Sequence, residues 1–158
     1  MDVHPHDRTI AELVISAVIP TSEADPALDL VGLPLPDLAA LPRDGSMVYG
    51  IATMDEGGRV SERLITRLLG WKSGQSLDFS LVSDVIVVRC HPTGGFRVPR
   101  TMLCSIPAAV RRWCGLSPGD RVLLAAAPAQ GVLLIHNMAA VDRMVLRYNA
   151  ELAEIAES

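Results

Sequence analysis

Arginine is the residue type whose placement in this chain points to chemistry. Arg59 closes the run Asp55-Glu56-Gly57-Gly58-Arg59-Val60. Arg63 and Arg67 stand inside SERLITRLL, and Arg111 and Arg112 are adjacent inside SIPAAVRRWCGLSPGDRVLL, residues Ser105 to Leu124. Arg63, Lys72, Arg97 and Arg100 are singled out on charge grounds alone. A guanidinium stays charged and grips phosphate oxygens or guanine edges with two parallel hydrogen bonds. Where such groups meet a nucleic acid, phosphate contacts supply most affinity and base-edge contacts supply sequence preference. The competing interpretation of each side chain is a solvated helix or strand face.

Enzymatic arrangements are missing. His4, His6, His91 and His136 lack His-x-x-x-His spacing, and Cys90, Cys104 and Cys114 lack Cys-x-x-Cys spacing. Cys90 and His91 are neighbours, but adjacent strand residues point to opposite faces. Ser105 has no G-x-S-x-G context, and no glycine loop is built to cradle phosphate. No catalytic, metal-binding or cofactor-binding residue is predicted. Three cysteines, an odd number in or beside apolar runs, read as reduced thiols of a cytosolic protein.

The chain has 158 residues, 49% hydrophobic and 20% charged, which is the composition of a folded protein. That length suffices for one domain, or for two small intertwined ones. No apolar run nears the roughly 18 residues of a membrane span. His4-Pro5-His6-Asp7 stands where a secretory signal needs a basic start, so a cytoplasmic protein without membrane contact is expected. The net charge of −4 is unevenly divided: −6 over residues 1–46, +4 over residues 47–121 and −2 over residues 122–158. A basic body between acidic ends leaves nucleic-acid binding open.

The elements that position these residues can be read in order. Thr9 to Ile19 suits a helix or a strand, Pro20 to Asp29 is turn-rich, and Leu30 to Pro42 suits an extended, proline-punctuated segment. Residues 1–46 therefore form an acidic N-terminal arm, either loose or docked on the chain's own body or a partner. Met47 to Thr53 alternates as a strand, Asp55 to Gly58 signals a hairpin turn, and Arg59-Val60 starts a return strand. A helix follows, with Ser61 as N-cap and Leu64, Ile65, Leu68 and Leu69 on one face. Gly70 ends it, and strands run from Ser76 to Val82 and from Val85 to Arg89. Farther on, Pro107 suits the first turn of a helix over Ala108 to Cys114, with Val110, Trp113 and Cys114 facing a core. Because Arg111 and Arg112 are adjacent, at least one must face solvent. Gly115 caps that helix, Ser117-Pro118-Gly119-Asp120 turns, and Arg121 to Ala127 is a strand. Asn137 caps a final helix over Met138 to Ser158, whose seam of Val141, Val145, Tyr148, Leu152 and Ile155 suits core packing or a dimer contact.

One plan is used twice. LLGWKSGQSLDFSLVSDVIVVR answers WCGLSPGDRVLLAAAPAQGVLLIH, and Gly70 and Gly115 stand 45 residues apart. Each unit is strand–strand–helix–strand–strand, too small to bury its own helix and sheet, so two units must pack together.

The units, residues 47–92 and 93–137, resemble the AbrB-type swapped-hairpin DNA-binding domain of AbrB, SpoVT-like and MazE-type proteins, in its tandem form. The first copy carries Asp55-Glu56-Gly57-Gly58-Arg59-Val60, with Ser61-Glu62 replacing an apolar–proline step. The second keeps Ile106-Pro107, Gly115-Leu116 and Pro118-Gly119-Asp120, with Met102-Leu103 where the family has Gly-Arg. The resemblance implies a mainly β fold with short helices: a swapped-hairpin β-barrel of two tandem β-β-α-β-β repeats, followed by the C-terminal helix, 138–158. It also implies a transcriptional regulator that binds double-stranded DNA. Arg59 stands at the signature arginine, Arg67 at one member of a basic pair, and Arg111-Arg112 at the full pair. The alternative is an antitoxin-like or scaffold protein that grips a toxin-like partner through its arm or C-terminal helix. Homodimerisation is compatible with both.

Overall fold

The strands Val85–Cys90, Arg121–Ala127 and Val132–Asn137 are apolar at successive positions because both their faces are largely covered. The computed structural model describes residues 36–158. Strands β1 (Val48–Thr53) and β2 (Arg59–Val60) lead into helix α1 (Arg63–Leu68), then strands β3 (Ser76–Val82) and β4 (Val85–Cys90). The same order returns as β5 (Phe96–Arg97), β6 (Cys104–Ser105), helix α2 (Ala108–Trp113), β7 (Arg121–Ala127) and β8 (Val132–Asn137). Helix α3 (Met138–Glu157) follows. The fold is mainly β, with short helices and a longer C-terminal one. The expectations for Thr9–Ile19 and Pro20–Asp29 lie outside the described residues.

Six strands form one antiparallel sheet in the order β1-β7-β8-β4-β3-β5, and β2 and β6 form a separate ribbon. Strand β1 of the first unit pairs with β7 of the second, from Val48↔Ala126 to Thr53↔Arg121. Strand β5 of the second unit pairs with β3 of the first through Ser76↔Arg97 and Leu77↔Phe96. At the centre β4 pairs with β8, from Ile86↔Ile135 to Arg89↔Val132. The units therefore complete each other within one chain, as their small size requires. Matching backbone bonds underline the duplication. Met54 N–H donates to Asp120 O and Gly119 N–H to Met54 O, both at 2.8 Å. On the other side Val98 N–H donates to Gln75 O at 2.9 Å and Gly74 N–H to Val98 O at 2.8 Å.

Two expectations about this sheet are corrected. The return strand of the first hairpin meets β1 only at the Met54↔Val60 bridge, and pairs instead with β6 through Arg59↔Ser105 and Val60↔Cys104. No ladder joins β1 to β5, so the described residues form an open sheet plus a ribbon rather than a closed barrel.

One sheet face and both short helices enclose the main core, which includes Phe79, Ile86, Leu124, Ile135 and Val110. Fully burying a side chain of this size contributes roughly 1.5–3 kcal/mol. Phe79 and Phe96 meet edge to face with centroids 5.2 Å apart, fastening short β5 to β3. The opposite face buries Val87, Ala125, Val132 and Leu134, against which Leu38, Leu41 and Met47 pack. The described end of the N-terminal arm is thus docked on the chain's own sheet. Asp37 begins a single 3₁₀ turn there, its carboxylate accepting from Ala39 N–H at 3.0 Å.

The short helices bury narrower faces than their sequences suggest. Ile65 and Leu69 are buried, but Leu64 and Leu68 are exposed, and Thr66 takes an inward position. The helix begins at Arg63 after Glu62, with no side-chain cap, so Ser61 is not the N-cap expected. In α2, Val110 is buried and Cys114 half-buried, whereas Trp113 faces outward. Six residues make fewer than two turns, leaving room for one core row only. The caps at Gly70 and Gly115 adopt positive φ, 71° and 64°.

Candidate nucleic-acid interface

The hairpin turn before β2 is built by Asp55. Its Oδ1 accepts from the backbone N–H groups of Gly57 and Arg59, both at 2.9 Å, and Oδ2 accepts from Arg59 Nε at 2.8 Å. The Arg59 backbone N–H is the main reason that this carboxyl is held below the usual carboxylate range, with the guanidinium adding to it. Both side chains are substantially exposed, so the ion pair itself contributes little and can exchange for a phosphate.

Gly58, at φ +77°, takes the left-handed conformation that closes this turn, and its carbonyl accepts from Ile106 N–H at 2.9 Å. That bond joins the first unit's turn to the segment entering α2. Arg111 then crosses the turn from the second unit: a Cβ at Gly58 would lie 2.5 Å from Arg111 Nε and 2.6 Å from Cζ. The Arg111 Nε is buried and has no hydrogen-bond partner among the described residues. Arg112, one position on, is exposed. The glycine-arginine turn of one unit and Arg111 of the other therefore meet at one place.

The remaining predicted residues spread more widely. Arg63 and Arg67 lie exposed on α1, at its first turn and its last. Arg97 is exposed on β5 and donates from Nη1 to Gly74 O at 3.0 Å, which sets it beside the turn that carries Lys72. Lys72 and Arg100 are also exposed. Arg63, Arg67, Lys72, Arg97, Arg100 and Arg112 form no ion pair among the described residues. Glu62 lies over β1, its Cγ 3.5 Å from where a Gly50 Cβ would stand.

From sequence, two of the participants, Asp55 and Gly58, are marked only as turn residues. Asp55 organises the turn and orients Arg59, and Gly58 vacates the space that Arg111 fills. The four-residue spacing of Asp55 and Arg59 across a glycine pair was the available signal for the first. Nothing in the sequence signalled the second, because Gly58 and Arg111 are brought together by the pairing of the two units.

A second cluster lies elsewhere, around the β3–β4 turn. Asp84 forms an ion pair with Arg143 of α3, and its backbone oxygen faces the Cys114 thiol. Burial lowers the pKa of His136 while Asp84 partly opposes it. Among the described residues no group of three His, Cys, Asp or Glu side chains is placed to hold a metal ion. No described helix is long and apolar enough to cross a membrane.

No family model matches the chain, and neither a curated protein nor a solved structure matches it.

Proposed function

We propose that this chain is a DNA-binding transcriptional regulator built on a swapped-hairpin scaffold of the AbrB type. Its phosphate-gripping face centres on Arg59, Arg111 and Arg112, with Arg63, Arg67, Lys72, Arg97 and Arg100 extending it. The observation that carries this reading is the crossing of Arg111 over Gly58, beside Arg59. It assembles from two units the basic set that each unit holds only in part. Strand exchange between the units, β1 onto β7 and β5 onto β3, supports the swapped-hairpin assignment. The antitoxin-like alternative has less support at the arm, where Leu38, Leu41 and Met47 are already packed on the chain's own sheet.

The test is a gel-shift series with the DNA upstream of the protein's own coding sequence, at two salt concentrations. Binding should weaken steeply as salt rises, because each neutralised phosphate releases condensed counterions. The double variant Arg111→Ala, Arg112→Ala should bind much more weakly. Unchanged affinity in a folded double variant would overturn the site. Absence of salt-sensitive binding to any duplex would overturn the function.

A further inference from the structure

Helix α3 carries an apolar seam that is half-buried at Met138 and Val141 and that nothing in the described structure covers from Val145 onward. Met138, Val141, Val145, Tyr148, Leu152 and Ile155 recur at spacings of three, four, three, four and three, the a/d pattern of a coiled coil. Val145, Tyr148, Leu152 and Ile155 are 53%, 61%, 44% and 70% exposed. Among the described residues, the helix is fastened to the body near its start. Asn137 Oδ1 accepts from Ala140 N–H at 2.7 Å, Ala140 is buried, and Arg143 pairs with Asp84. At about 100° per residue, the Ala140–Arg143 side and the seam lie on different faces. From Asp142 onward every residue is exposed. A helical stretch of that length is marginal in water without packing on one face.

We infer that the seam is a dimer interface, with the α3 helices of two copies of this chain paired antiparallel. The heptad-spaced seam favours another helix as occupant, and charge selects which helix and which direction. Residues 138–147 carry Asp142, Arg143 and Arg147, net +1, and residues 148–157 carry Glu151, Glu154 and Glu157, net −3. Parallel pairing would set −3 beside −3. Antiparallel pairing sets each acidic half against a basic half and opposes the helix dipoles. It also aligns the apolar layers: Met138 with Ile155, Val141 with Leu152, and Val145 with Tyr148 of the second copy. The arrangement is two-fold symmetric and closes on itself. The chain's own leader is a poor occupant, because its net charge of −6 over residues 1–46 repels a helix that is itself net −2. The inference does not depend on DNA binding.

Sedimentation of the full chain at micromolar concentration, without DNA, tests it. The wild type should sediment as a dimer. Leu152→Lys places a cation in the seam and should yield a monomer whose body still unfolds cooperatively. Direction is read by cysteine cross-linking on a Cys90→Ser background. Val141→Cys and Leu152→Cys chains, mixed and oxidised, should form a mixed disulfide dimer, and neither alone should cross-link with itself. A monomeric wild-type chain overturns the interface, whether the leader or another protein then covers the seam. A dimer indifferent to Leu152→Lys overturns it equally. Self-cross-linking of Val141→Cys alone overturns the antiparallel direction.

Discussion

Arg111 lies so close over Gly58 that a Cβ at residue 58 would stand 2.5 Å from its Nε. Glycine is required there twice, by the positive φ and by the side chain crossing from the other unit. The corresponding turn of the second unit keeps the backbone without the glycine. Gly58 N–H donates to Asp55 O at 3.1 Å, Met102 N–H donates to Pro99 O at 3.0 Å, and Met102 holds φ at 59°. A left-handed non-glycine residue costs on the order of 1–2 kcal/mol. The helix position matching Arg111 is Thr66, which is small and buried. Bulk thus sits on the helix in one half, with Gly58 and Arg111, and on the turn in the other, with Met102 and Thr66.

Gly58→Ala should destabilise the fold by about 2 kcal/mol, combining left-handed strain with displacement of Arg111. Denaturant titration should show a lower midpoint at unchanged slope. Under the proposed function, DNA affinity falls as well. Gly115→Ala is the control: φ is also positive, but nothing lies within 4 Å of the added carbon. It should lose stability and keep affinity.

Arg112→Ala should leave thermal stability within about 0.5 kcal/mol of wild type, because the side chain is exposed and forms no ion pair among the described residues. Its DNA affinity should fall, with the salt slope reduced by about 1 if the partner is a phosphate. Arg111→Ala should lower both stability and affinity, since that side chain packs over Gly58 with its Nε buried. Equal stability loss in the two variants would contradict the difference in burial.

Acid should weaken this fold through His136. Burial, partly opposed by Asp84, sets its folded pKa below the usual histidine value of 6.5. Between the two values the unfolded chain binds more protons than the folded one. Stability is therefore fully present above about pH 6.5 and declines as pH falls toward the folded pKa. His136→Phe should flatten that part of a stability–pH curve measured by urea titration. An unchanged slope in a folded variant would contradict the assignment.

Thiol labelling should be slow in the native protein at pH 8. Burial pushes Cys104 up to about 12 and, with Asp84 adding to it, Cys114 up to about 11. Cys90 is raised too, again by burial, but it is the least enclosed and should label first. Unfolding should expose all three. Rapid native labelling of Cys104, measured by mass spectrometry, would contradict its buried position.

The sequence by itself determined the local alphabet of this protein. Gly70 and Gly115 end the two short helices, Asn137 caps the long one, and strands β3 and β7 fall where apolar runs meet turn residues. These outcomes depend on residues within a few positions of each other, so spacing and propensity suffice. The 45-residue recurrence likewise announced two units that must complete each other. The partners of β1, β2 and β5 were decided only in three dimensions, because alternation specifies a strand's faces but not its neighbours. Trp113 and Leu64 turned outward because helices of six residues bury only one row, and the sheet's second face was covered by Leu38, Leu41 and Met47. The arginine pair was visible from the start. That Arg111 lies over the turn of Arg59 was not, since the two are brought together by the pairing of β2 with β6 and by the Ile106 N–H bond to the Gly58 carbonyl, which no local pattern encodes.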